Sequence, residues 1–223
     1  MSPLLALVLV AAPVESAAAR FDREQAELRS QLLAKCPAHR AAIEQLGSAL
    51  SDQRVELLRP LETCAAKVEP YFIALGGALS MKSQWPEAEV AYRKALGLRV
   101  TESAQLGLLT ALVRQKSLSS TQQADLDSNL GYFRQRACSR ADLCAALSYV
   151  AWHVDDVELV KRSAERSISL GFAGWQPYFF AGTVYAATDA ARAVELLTQA
   201  KKRGGPQKDI DGFLSRLGPA PAP

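Results

Sequence analysis

YFIALGGALSMKSQWPEAEVAYRKALGL, residues 71–98, carries two apolar patterns of helical period separated by a short polar turn. In the first, Phe72, Leu75, Gly76 and Leu79 fall on one helix face. In the second, Ala88, Tyr92 and Ala95 do the same. Gly76 and Ala88 are small enough to let two helix backbones approach closely, and Leu75 and Tyr92 fill the adjoining volume. Pro86 suits the first turn of the second helix, where a missing N–H costs nothing, and Glu87 and Glu89 suit the positive end of its dipole.

The pattern recurs downstream. A slide of 34 residues places Leu106, Leu109, Thr110 and Val113 on it; a further 38 gives Cys144, Leu147, Ser148 and Ala151; another 34 gives Tyr178, Ala181, Gly182 and Tyr185. The place of Gly76 is taken by Thr110, Ser148 and Gly182, small each time. The second helices follow in phase through Val160 and Ala164, then Ala193, Leu197 and Ala200. Helix-start signals stand where each should begin, at Ser119-Ser120-Thr121, Asp155-Asp156 and Asp189.

These residues and spacings resemble the tetratricopeptide repeat, which pairs two antiparallel helices with W-x2-L-G-x2-Y in the first and A-x3-F in the second. The resemblance implies an all-α fold, a right-handed α-solenoid of about four helix hairpins of tetratricopeptide (TPR) type across residues 69–217. The second unit lacks a clean A-x3-F and several units lack the terminal proline; a generic antiparallel helical bundle is the alternative.

Around this array lie three other segments. MSPLLALVLVAAPVESAAA, residues 1–19, joins a short apolar run to small residues and reads as a secretory signal peptide, although no Lys or Arg precedes the run. The run is shorter than the roughly 20 apolar residues a membrane span needs, so the mature chain is expected to have no integral membrane segment. Residues 20–68 read as an N-terminal helical segment with helices over 20–35, 38–50 and 55–68. Cys36-Pro37 ends the first, Ser51-Asp52 is positioned to cap the third, and Pro60 kinks or restarts it. Asp209 to Leu217 reads as a C-terminal capping helix, and residues 218–223 as a disordered Pro-Ala tail.

An apolar fraction of 49% with 22% charged residues is that of a folded chain. The formal charge of +3 is dispersed, without a basic run or basic-aromatic interleaving, so a nucleic-acid partner is not expected. The four cysteines, Cys36, Cys64, Cys138 and Cys144, allow three disulfide connectivities. Short loop closure favours Cys36 with Cys64 and Cys138 with Cys144, and four buried thiols are the alternative. No cofactor is expected, since phosphate-binding, dinucleotide-binding and zincin motifs are missing. Neither His39 beside Cys36 nor His153 beside Asp155 and Asp156 makes a convincing nucleophile or metal site; metal binding is not expected.

In tetratricopeptide arrays the first helix of each hairpin lines a concave groove. By that register Ile73 and Met81, Arg114 and Gln115, then Asp142, Tyr149, Trp152 and His153, then Phe179 and Thr183 face it. Tyr, Trp and Arg dominate binding hot spots, so this face suits a protein or peptide partner. Alternatively, Trp152 and Phe179 pack within the array or against the N-terminal helices. The resulting expectation is a non-enzymatic protein–protein interaction or scaffold module, periplasmic or secreted. A thiol-dependent or hydrolytic enzyme on a helical scaffold is the alternative, and a structural piece of a larger envelope complex a third reading.

Overall fold

The computed structural model describes residues 16–50 and 53–217, which form twelve α-helices and no strand. Residues 1–15 of the expected signal peptide, the Ser51-Asp52 cap and the 218–223 tail lie outside the described residues.

The N-terminal segment is less regular than its sequence suggests. Helix α1 spans Ala17–Lys35, with the Ser16 hydroxyl accepting from the Ala19 amide, and it buries Leu28 and Leu32. Its stop at Cys36 agrees with the proline that follows. The expected helix over 38–50 shrinks to a 3-10 turn at Pro37–His39 and α2, Arg40–Gln45. The expected helix over 55–68 becomes α3, Arg54–Leu58, followed by a 3-10 turn at Arg59–Leu61 and further turns. Pro60 cannot donate to the helical ladder and its ring clashes with the preceding turn, so α3 ends before it. Cys36 and Cys64 sit at disulfide distance, with Cα atoms 5.4 Å apart, tying the end of α1 to the turns before α4.

From Glu69 the helices are longer and pack in pairs: α4 (Glu69–Met81) with α5 (Trp85–Leu98), α8 (Ala141–His153) with α9 (Val157–Ser169), and α10 (Gln176–Tyr185) with α11 (Ala190–Lys202). Between the first two pairs come α6 (Glu102–Val113) and α7 (Ser120–Gln135). The helices α4, α6, α8 and α10 also touch in series, each meeting the next. Helix α12 (Gln207–Leu217) packs on α11 and buries Ile210. Thr101, Ser119, Asp156 and Asp189 cap α6, α7, α9 and α11 through their side chains, and Ser119 with Gln122 completes a capping box.

The apolar positions Phe72, Leu75, Leu79, Ala88, Tyr92, Ala95, Leu109, Leu147, Tyr178, Ala193 and Leu197 are buried, as are Gly76 and Gly182. Tyr92 shows why glycine is needed there. A Cβ built on Gly76 would lie 2.8 Å from the Tyr92 ring, so this ring occupies the volume that a side chain would need. The same ring also occupies the space that a side chain on Gly107 of α6 would need, a position the repeat register does not align with Gly76. Tyr185 departs from the core assignment. It is only partly buried, its hydroxyl donates to Glu165 at 2.5 Å, and the Lys161 ammonium lies 5.1 Å from its ring centre.

Helices α6 and α7 pack less closely than the other pairs, and polar side chains fill the space around them. Glu89, only 4% exposed, accepts from Gln115 at 2.5 Å, from Gln122 at 2.7 Å and from Arg93, which also pairs with Asp125. A buried carboxylate is tolerable when its oxygens are bonded in this way. At the other end of α7, Arg162 donates to the carbonyls of Phe133 and Arg134 at 2.7 and 2.8 Å, the first of which also accepts from the Arg136 amide, so the helix end is held from the side.

Candidate interaction face

The residues expected to line one groove fall at two different ends of the first helices. Ile73 lies near the start of α4 in a cleft shared with Leu28 of α1, and Asp142 lies in the first turn of α8. Asp142 pairs with Arg140 at 2.6 Å, and Arg140 also reaches Glu24 of α1 at 2.9 Å. Burial alone would raise the Asp142 carboxyl, but hydrogen bonding and charge from Arg140 outweigh it and hold it below the usual range. Helix α1 therefore lies beside the starts of α4 and α6 and is tied to the residue that precedes α8.

The remaining residues gather at the opposite rim, where the first helices end. Arg114, the C-cap of α6, donates to the Tyr149 hydroxyl at 3.0 Å, and its guanidinium lies 5.1 Å from the Trp85 ring centre. The Tyr149 ring meets His153 at 4.5 Å and Phe180 at 5.6 Å between centroids. Trp152 meets the same two rings at 5.3 and 5.4 Å, and its indole N–H donates to the Thr183 hydroxyl at 3.0 Å. Thr183 in turn donates to the Phe180 carbonyl at 2.8 Å. The result is one continuous band: Trp85, Arg114, Tyr149, His153 and Trp152, ending at Thr183. Tyr149 and Trp152 are partly exposed, and Arg114 and His153 are exposed. Edge-on and tilted ring contacts of this kind fix the rings without covering them.

Three expected members are placed differently. Phe179 is buried, 7% exposed, against Trp175, Phe180 and Phe213, so it faces α12 rather than the band. Gln115 turns away to Glu89 and Gln122. Met81 is 64% exposed at the end of α4 but belongs to no ring contact of the band. Two members were missed by the sequence reading, Trp85 and Phe180. Tyr149 and Phe180 are 31 residues apart, as are Trp152 and Thr183. Contacts therefore fall three residues short of a 34-residue spacing, an offset set by how α10 is shifted along α8. No pattern within either helix records that offset, so no sequence signal pointed to Phe180.

The band's electrostatics are simple. Arg114 has an aromatic and a hydroxyl neighbour and no ion-pair partner among the described residues. Burial, with the Arg114 cation close by, pushes the His153 imidazole below its ordinary value. Among the described residues, no cluster of three or more His, Cys, Asp or Glu is placed to hold a metal, and no helix is long and apolar enough to cross a membrane. Cys138 and Cys144 lie at disulfide distance with Cα atoms 5.3 Å apart, at the start of α8 and far along that helix from the band. Comparison of the chain with protein-family models, curated proteins and solved structures returns no match.

Proposed function

We propose that this chain is an exported, non-catalytic interaction module of tetratricopeptide type, a short right-handed solenoid that docks a protein segment along the aromatic band. The observation that supports it is the band itself: Trp85 of α5, Arg114 at the end of α6, and Tyr149 and Trp152 of α8 come from three helices and meet on one rim, where half-exposed aromatic rings and an unpaired cation are held in place by their neighbours. Aromatic and arginine side chains pre-ordered in this way lose little freedom on binding, which is what a hot spot needs. The serial contacts of α4, α6, α8 and α10 support a repeat array. The two cysteine pairs are compatible with an oxidising compartment and leave no free thiol to serve a thiol enzyme.

A pull-down from the exported fraction tests the reading. The parent chain should retain a specific protein, and Arg114→Ala, Tyr149→Ala and Trp152→Ala should each release it. Trp152 is half-buried, so its truncation should cost less than the roughly 3–5 kcal/mol of a fully buried tryptophan. Equal retention by all three variants would overturn the proposal. Export is tested separately by N-terminal sequencing, which should begin near Arg20; recovery of the intact Met1 chain from cytosol would remove that part.

A further inference from the structure

At its far end the band opens into a small cleft of about 220 Å³. Trp152 and Asp155 border it from the end of α8 and its turn, Val157 and Val160 from α9, Thr183 and Val184 from α10, and Phe213 from α12. Asp155 is the sole charged residue lining it, and its exposed carboxylate has no hydrogen-bond or ion-pair partner among the described residues. The Thr183 hydroxyl is already engaged with Trp152 and with the Phe180 carbonyl. The cleft thus offers a ligand three things: aliphatic walls, two aromatic rings, and one unpaired negative charge.

That combination discriminates by charge. An anion would meet Asp155 unfavourably. A neutral apolar group would gain only buried area. A cation on an alkyl stem would gain the area, the ring interaction and the carboxylate together. The Arg216 guanidinium lies 4.6 Å from the Phe213 ring centre without lining the cleft, so its charge opposes a second cation at that ring and Asp155 has to carry the selectivity. The acid is also held in position. Asp155 sits in the left-handed region at φ 55°, fixed by the turn in which the Asp156 amide donates to Ala151 and the Val157 amide to Asp155 itself.

We propose that this cleft takes a lysine or arginine side chain of the docked segment, its alkyl stem against Trp152, Val184 and Phe213 and its charge at Asp155. The assignment rests on the band being the docking strip, because Trp152 belongs to both and a segment lying along the band would deliver its next side chain here. It names the partner chemistry at one end: a basic residue beyond the part that contacts Tyr149.

The test uses the full chain and small probes, so that it reads the cleft without the partner. Hexylammonium, hexanol and hexanoate are titrated while the Trp152 indole N–H resonance is followed by NMR. Hexylammonium should bind about fivefold or more tightly than hexanol, and hexanoate more weakly than either. Asp155→Asn should erase the preference for the amine while leaving the fold intact, since asparagine adopts the left-handed conformation as readily as aspartate. Phe213→Ala should weaken the amine as well. Equal binding of amine and alcohol, a preference that survives Asp155→Asn, or no response to any probe would overturn the assignment. If the band variants still release their partner when the cleft shows no amine preference, the cleft assignment fails alone. If the cleft prefers the amine while the band variants retain every partner, the docking strip fails alone.

Discussion

The two ends of the first helices are made from the same elements and are treated in opposite ways. At their starts, charge is matched and covered. Glu69 is buried and bonded to Arg99 at 2.8 Å and Thr101 at 2.9 Å; Glu102 holds the Ser139 amide at 3.0 Å; Arg140 joins Asp142 to Glu24 of α1. Glu69, Glu102 and Asp142 also sit at the positive ends of their helix dipoles. At the other end, where the dipoles favour cations, Arg114 and His153 stand exposed among half-buried rings, with no acid paired to Arg114. One rim uses its acids to hold the chain together; at the other, Lys82 at the end of α4 is paired with Glu56 at 2.6 Å, and Arg114 is the cation without an acid partner among the described residues. The contrast is what separates a structural end from a candidate binding end among these helices.

The largest expected effect lies at the covered rim. Replacing Cys36 and Cys64 by serine opens a loop that spans 28 residues, which the chain-entropy model values at about 3–4 kcal/mol. Chemical denaturation should show that loss, with partner retention unchanged in the folded fraction. A loss below about 1 kcal/mol would mean that burial of Leu28, Leu32, Leu46 and Leu58 holds the segment without the covalent tie.

A smaller effect is expected at the other anchor of α1. Glu24→Gln removes one partner of Arg140, which keeps Asp142, and both ends of the pair are partly solvated. The cost should stay below about 1 kcal/mol. A loss of 2 kcal/mol or more would show that α1 depends on this contact and that the two rims are coupled through α8.

The smallest effect belongs to the open rim. His153 should titrate below the ordinary histidine value of about 6.5, with burial as the first cause and the Arg114 charge as the second. Its lowered value means the unfolded chain binds the proton more readily, so its contribution to stability is complete above the unfolded value and is lost as pH falls through the folded one. Arg114→Ala should move the NMR titration midpoint of His153 upward. A midpoint that does not move would separate Arg114 from His153 and break the band at Tyr149.

Much of the fold was legible because its signals are local. A helix start is decided within four residues, so Ser119, Asp156 and Asp189 could be read as caps without knowing any neighbour. The N-terminal segment was harder. Its apolar residues mimic helical periodicity, but Pro60 and the Cys36–Cys64 tie divide it into short pieces. The candidate site was legible in composition and less so in membership: Arg114, Tyr149, Trp152, His153 and Thr183 do meet, whereas Phe179, Gln115, Met81, Ile73 and Asp142 do not join them.

The sequence by itself determined the helical class, the need for a small residue at Gly76, the helix caps, and a preference for local cysteine pairing. Each depends on spacing within one turn or on closing a short loop. The tertiary structure alone decided that Tyr92 packs on Gly107 as well as on Gly76, that Phe180 rather than Phe179 meets Trp152, and that α1 lies against the starts of the first helices. Those outcomes turn on how far one helix is rotated and shifted against the next. A change of one residue turns a side chain by about 100° around the helix, and no pattern confined to one helix records its neighbour's offset.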